Sequence, residues 1–186
     1  MDDALRNALA SISNELGTRN VRYALIGGLA ASLRGRVRAT DDVDLIILCS
    51  LDEALALDSS LRQSEFSSLV EDVEEVAKSA LLIPLIHSPT NIQLDLAIGL
   101  SGFEREIVER ADPMILGGIE VFVATAEDLI LLKLIADRPQ DRQDIRGIVE
   151  VQAEQIDWDY CIEIGKQLKD AVSFDVEARI AELRRL

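Results

Sequence analysis

The chain has 186 residues, of which 48% are hydrophobic, and its 34 acidic and 19 basic residues give a formal net charge of -15. This length and composition predict one folded domain, or one α/β domain with a small helical appendix. The negative charge disfavours general binding to nucleic acid or to anionic membranes, so a nucleic-acid contact would require a local basic patch.

Targeting and redox signals are weak in this sequence. The first ten residues, MDDALRNALA, are acidic and lack the basic and apolar regions of a secretory signal, and no apolar run reaches the roughly 18 residues of a membrane span. We therefore expect a cytoplasmic protein. Cys49 and Cys161 have no CxxC spacing and the chain has one histidine, so both cysteines are predicted to be reduced, buried and structural, without a zinc site or thiol redox centre.

Hydrophobic periodicity predicts the elements of the first half of the chain. One apolar stripe indicates a helix over 2–17, which Gly17 would end. The elements predicted after it are a strand at 23–26, a glycine turn, a helix over about 29–35, a buried strand at 43–49 and an acidic, helical segment at 51–79.

The second half changes from strands to helices. Strands are predicted at 81–86 and 91–99, and two short strands around Gly117-Gly118 in 112–124. Thr125 precedes Asp128 by three residues at the start of a helix over 125–138, which Pro139 would end, and two or three further helices would fill 141–186. The pattern predicts the α/β (α+β) class: a mixed sheet flanked by helices in 1–124, and a C-terminal helical segment, 125–186, packed on it.

Two aspartates lie at the start of the strand predicted at 43–49. Asp42 and Asp44 are two residues apart and so point to the same face, whereas Val43 points into the core. Two carboxylates at this spacing can share a magnesium ion, which commonly takes one or two carboxylates plus substrate phosphates. A DxD pattern alone is a weak signal, and its alternative interpretation is a solvated strand start.

A third aspartate interrupts the strand 91-NIQLDLAIG-99. Ile92, Leu94, Leu96 and Ile98 make its apolar face, which leaves Gln93 and Asp95 together on the other. A carboxylate in such a strand is unfavourable unless it is paired, so Asp95 is a third candidate ligand or base. The alternative is an aspartate on the solvated face of an edge strand.

A glycine pair and an arginine cluster precede the first two aspartates. Gly27-Gly28, between a strand and a helix, suits a close approach of backbone N–H groups to a phosphate, although such a pair is as often a plain turn. Arg34, Arg36 and Arg38 are out of character in so acidic a chain and suit a triphosphate clamp; the alternative is a solvated helix end and loop.

Together, the Gly27-Gly28 turn, the stretch 38-RATDDVDL-45 and the later Asp95 resemble the active-site pattern of the nucleotidyltransferase superfamily, which has the polymerase-β-like fold. With 127-EDLILLKLIADRPQDRQDI-145, the pattern is similar to that of bacterial single-domain and AbiEii-like nucleotidyltransferases. The resemblance implies an enzyme that moves a nucleoside monophosphate from an NTP to an acceptor hydroxyl and releases pyrophosphate.

The resemblance also implies roles for individual residues. Asp42, Asp44 and Asp95 would be catalytic and would bind Mg²⁺ or Mn²⁺, with Asp95 acting on the acceptor. The nucleotide would be contacted by Gly27, Gly28, Arg38, Thr40 and Lys133. Alternatives are an exposed polar position for Lys133, and a solvated helix start for Asp141, Arg142 and Asp144.

Several interpretations of the function stay open at this level. The acceptor is a small molecule, a protein or tRNA, and the protein could act as a toxin with an antitoxin partner or form a homodimer. A catalytically inactive nucleotide-binding or partner-binding module on the same fold is an alternative, as is an accidental DxD. The acidic segment 51–79 is either an acceptor pocket or a solvated surface.

Overall fold

The structure, a computed structural model, describes residues 2–100, 102–168 and 175–185. The strands within these ranges are β1 (Tyr23–Leu25), β2 (Asp42–Ile47), β3 (Phe66–Ser68), β4 (Leu82–His87), β5 (Ile92–Ile98), β6 (Asp112–Leu116) and β7 (Ile119–Val123). The helices are α1 (Asp3–Thr18), α2 (Gly27–Arg34), α3 (Leu51–Leu61), α4 (Val73–Ala80), α5 (Gly102–Arg110), α6 (Ala126–Ala136), α7 (Pro139–Gln152), α8 (Trp158–Leu168) and α9 (Val176–Leu183).

All the strands join one mixed sheet in the order β3-β4-β5-β2-β1-β7-β6. Two neighbouring pairs, β2 with β5 and β1 with β7, are parallel, and the other pairs are antiparallel. The predicted class, a mixed sheet flanked by helices, is confirmed. Among the residues described, no helix combines the length and the apolar character needed to cross a bilayer.

The chain forms two compact units, and the first consists of the described residues of Met1–Leu29 and Ala39–Val123. It contains the whole sheet. The apolar stripe of α1 is buried as the sequence predicts, with Leu9 and Ile12 fully inaccessible, and the N-terminus of α1 is capped by the Asp2 side chain. In β2 and β5 the residues Val43, Leu94 and Leu96 are also fully buried, which fixes the face of each strand that turns to the core.

The second unit consists of Ala30–Arg38 and the described residues of Ala124–Leu186. Its central helix, α6, begins as predicted with the Thr125 side chain accepting a hydrogen bond from the Asp128 amide. Leu129, Ile130 and Leu131 are fully buried, because this helix is apolar on nearly every side. The prediction that 125–186 packs on the core stays a prediction, and part of that range lies outside the described residues.

Four details of the predicted elements were wrong. Helix α2 begins at Gly27, two residues before the predicted start. Pro139 is the first residue of α7 and does not end α6, because proline is well accommodated in a first helical turn. Helix α6 ends where Asp137 adopts left-handed backbone geometry. The acidic segment contains β3 as well as helices, and Cys49, unlike the buried Cys161, is only partly covered.

A cluster of charged side chains in the second unit combines one buried lysine and two buried aspartates with two arginines that reach solvent. Lys133, only 5% exposed, donates to Asp144 at 2.7 Å and to Asp141 at 3.4 Å. Arg38 makes a two-pronged contact with Asp144, and Arg138 makes one with Asp141. Buried charges are tolerated when they are paired in this way, and removing one partner leaves the others uncompensated.

We predict that Lys133→Met lowers the stability of the protein by about 3 kcal/mol, because Asp141 and Asp144 lose a buried cation while Arg38 and Arg138 continue to pair with them. For a chain of this size the corresponding fall in Tm is roughly 6–12 °C. The control is Lys166→Met, because Lys166 is an exposed lysine whose ion-pair partner, Glu177, is 4.0 Å away. Equal thermal denaturation curves for the two variants would contradict the prediction.

Candidate active site

The parallel pairing of β2 with β5 places the candidate aspartates on adjacent strands. Asp44 is the register partner of Asp95, and Asp42 is the partner of Gln93. Register partners on neighbouring strands are about 4.8 Å apart and share a face of the sheet. The structure therefore brings Asp42, Asp44 and Asp95 to one patch on the face opposite Val43.

The environment of Asp95 makes its negative charge unfavourable. Burial raises the pKa of the Asp95 carboxyl above its usual value, and the charge of Asp42 raises it further. The two carboxylates thus interact across the strand pair. A cation bound beside them would offset both effects, because it favours the charged form of each group.

The glycine turn lies directly against Asp44. Gly27 has a positive φ of 67°, and a Cβ atom added to it would stand 1.7 Å from Oδ2 of Asp44. The amide of Ile26 donates to the carbonyl oxygen of Asp44 at 2.9 Å. Position 27, at the start of α2, must therefore lack a side chain, because a Cβ atom there would occupy the space of the Asp44 carboxylate.

Thr40 lies beside the first of the aspartates. Its hydroxyl donates to Oδ1 of Asp42 at 2.5 Å, within the first unit. Asp42 itself is exposed and Asp44 is half-buried. The predicted role of Thr40 at the nucleotide stays a prediction, and the contact in the structure orients a carboxylate.

The donor set of this patch suits a hard divalent cation. Within the described residues, no three His, Cys, Asp or Glu side chains are already close enough together to hold one ion. Mg²⁺ commonly uses only one or two carboxylates and completes its shell with water and substrate phosphates, so two of the three aspartates on β2 and β5 would be enough for such an ion. Asp42, Asp44 and Asp95 are the residues that could supply these carboxylates, one or two of them to each ion.

The two predicted cationic contacts, Arg38 and Lys133, belong to the second unit and are paired with carboxylates there. Lys133 is buried, so the alternative of an exposed polar position is wrong. Arg34 donates to the carbonyl oxygen of Ala124 at 3.0 Å, and Arg36 forms an exposed ion pair with Glu150.

Sequence reasoning missed the burial of Asp141 and Asp144. Both were predicted to form a solvated helix start, yet they are only 1% and 8% exposed. The signal was present in the spacing: residues 141, 144, 145 and 148 fall on one face of a helix, and Ile145 and Ile148 are apolar. A carboxylate on such a face requires a cationic partner, which Lys133 supplies.

Comparison with solved structures supports the same fold at low identity. The chain resembles an antigenic nucleotidyltransferase-like protein from Paracoccidioides brasiliensis (18% identity, TM-score 0.57, 91% of this chain and 92% of that one). It also resembles the antibiotic-resistance factor ANT(2'')-Ia (15%, TM-score 0.58, 98% and 94%). A third similar structure is the lincomycin-bound lincosamide antibiotic adenylyltransferase LnuA (13%, TM-score 0.56, 81% and 98%).

No curated protein sequence matches this chain significantly. A family of related sequences does: residues 3–184 match the family described as "Nucleotidyltransferase of unknown function (DUF6036)". The match spans nearly the whole chain and includes the glycine turn and the strands that carry the three aspartates. The protein therefore belongs to this nucleotidyltransferase family.

Proposed function

We propose that the protein is a metal-dependent nucleotidyltransferase that moves a nucleoside monophosphate from an NTP to an acceptor hydroxyl and releases pyrophosphate. The observation that carries the proposal is the register of Asp44 beside Asp95, with Asp42 interacting electrostatically across the same strands. Membership of a nucleotidyltransferase family supports the same reaction class.

The aspartates divide the work in this proposal. Asp42 and Asp44 hold Mg²⁺ or Mn²⁺, and Thr40 keeps the Asp42 carboxylate in place. Bound metal supplies stabilisation of the negative charge that develops on the phosphate oxygens. Asp95, the register partner of Asp44, is a further metal ligand and accepts the proton of the attacking hydroxyl.

The proposed reaction is an in-line displacement at the α-phosphorus of the NTP. The acceptor oxygen forms a bond to the α-phosphorus, and the bond between that phosphorus and the bridging oxygen of the β-phosphate breaks. Gly27 and Gly28, at the start of α2, line the phosphates. The contacts of Arg38 and Lys133 with the triphosphate stay predictions that rest on the family resemblance.

The negative net charge of the chain makes some classes of acceptor more favourable than others. A net charge of -15 favours a cationic small molecule or a protein over RNA, because polyanions are repelled at long range. Solved neighbours include an antibiotic-resistance factor and a lincosamide adenylyltransferase, which makes small-molecule antibiotics the first acceptors to test. The tRNA-directed toxin, its antitoxin partner, a homodimer and the AbiEii-like subtype stay predictions.

We predict that one of the four NTPs, together with Mg²⁺, raises the Tm of the native protein, and that Asp44→Asn removes most of this shift. Pyrophosphate release with the accepted substrate should fall by roughly a hundredfold or more, since the site loses a metal-binding charge. The matched control is Asp41→Asn, which changes an exposed aspartate three residues earlier. Metal-dependent nucleotide binding without any pyrophosphate release or label transfer from [α-³²P]NTP would support the inactive binding module instead.

We predict that Gly27→Ala impairs the same site although it removes no charged residue. The added methyl group would displace the Asp44 carboxylate, and alanine is strained at a φ of 67°. Stability should fall by about 1–3 kcal/mol, and the thermal shift with Mg²⁺ and NTP should weaken markedly. Gly102→Ala is the control, because a Cβ atom there meets nothing within 4 Å. An undiminished nucleotide response in Gly27→Ala would argue against this placement of Asp44.

A further inference from the structure

A cavity of about 240 Å³ lies among α6, α7 and α9, within the second unit. Three arginines surround it: Arg142 and Arg146 from α7, and Arg179 from α9. Its remaining lining is aliphatic except for one carboxylate, and consists of Leu134, Ile145, Glu182 and Leu183. Such a concentration of guanidinium groups is unusual in a chain with a net charge of -15.

Two of these arginines are fixed by a shared carboxylate. Arg142 donates to Asp137 at 3.0 and 3.2 Å, and Arg179 donates to the same carboxylate at 2.6 and 3.2 Å. Both guanidinium groups are therefore held in place beside the cavity, one from α7 and one from α9. Two arginines against one carboxylate leave a positive charge that Asp137 does not neutralise.

The third arginine adds charge without a partner. Arg146 lies one helical turn after Arg142, and in the described part of the chain it makes no hydrogen bond or ion pair. Glu150, the acidic residue one turn further on, is paired with Arg36 at 2.6 Å. Like charges four residues apart destabilise a helix, and Asp137 pairs with Arg142 but not with Arg146, so an anion that contacts Arg146 would relieve the remaining repulsion. Even with Glu182 counted, three guanidinium groups face two carboxylates.

We propose that this cavity binds a phosphate group, carried either by a small organic phosphate or by a nucleic-acid backbone. Guanidinium forks match phosphate oxygens, and a phosphate brings more charge and more acceptor oxygens than the carboxylates already present. The aliphatic wall of Leu134, Ile145 and Leu183 suits the organic part of such a ligand. The site belongs to the second unit, whereas the proposed catalytic aspartates belong to the first, and phosphate binding by guanidinium groups does not require a metal.

The test uses the full chain in EDTA, so that metal-dependent nucleotide binding does not contribute. Calorimetric titrations with AMP and with inorganic pyrophosphate cover small phosphates, and fluorescence anisotropy with a labelled oligouridylate of about twelve nucleotides covers nucleic acid. Arg146→Gln should weaken the binding of the successful probe at least roughly tenfold, and Arg146→Lys less. Arg22→Gln, which changes an exposed arginine of the first unit, should leave it unchanged.

The possible outcomes either identify the class of ligand or overturn the proposal. AMP or pyrophosphate binding that Arg146→Gln removes identifies a small phosphate ligand. Binding of the oligouridylate alone, with a log–log salt slope of about -2 for three contacts, identifies a nucleic-acid backbone. No binding of any probe, or binding that Arg146→Gln leaves intact, overturns the proposal. Since no metal is present, either failure leaves the proposed nucleotide transfer untouched.

Discussion

The parallel pairing of β2 with β5 is the constraint on which the candidate site depends. A shift of one residue in that register would move Asp95 to the opposite face from Asp44 and would turn Leu94 outward, into the patch. The buried side chains of Val43, Leu94 and Leu96 oppose such a slip, because a shift of one residue would turn part of this apolar set away from the core. The apolar core of the first unit therefore sets the geometry of the carboxylates, and the glycine turn at position 27 supplies the room that Asp44 requires.

Charge is distributed differently in the two units. In the first unit, Asp95 lies close enough to Asp42 for the two negative charges to repel each other, and this repulsion adds to the effect of burial in raising the pKa of Asp95. Such carboxylates suit a cation that arrives with substrate. In the second, Asp137, Asp141 and Asp144 are paired with lysine and arginine side chains, and the charge around the cavity of α6, α7 and α9 has a positive surplus. An acidic chain thus has one patch suited to a metal–nucleotide complex and another suited to a phosphate group.

The sequence signals that predict the aspartate patch of the first unit are local. The two-residue period of a strand is enough to predict which face of β5 carries Asp95 and that Asp42 and Asp44 share a face of β2. The conformational freedom of glycine is enough to predict a turn at the glycine pair that begins α2. The short β3 escapes prediction because Phe66–Ser68 has too few residues to show a period, and its pairing with β4 is a tertiary contact. The partners of Asp144 are not local either: Arg38 lies 106 residues away along the chain. Burial of that carboxylate could only be suspected from its helical face.

A double-mutant cycle between Asp44 and Asp95 is the most direct test of whether the two carboxylates serve one metal–nucleotide site. The dissociation constant of the Mg²⁺–NTP complex would be measured by calorimetry for the native protein, Asp44→Asn, Asp95→Asn and the double variant. If both carboxylates serve one metal–nucleotide site, their effects are not additive, and the coupling free energy is at least about 1 kcal/mol. Strictly additive effects, or binding that neither substitution alters, would contradict the account.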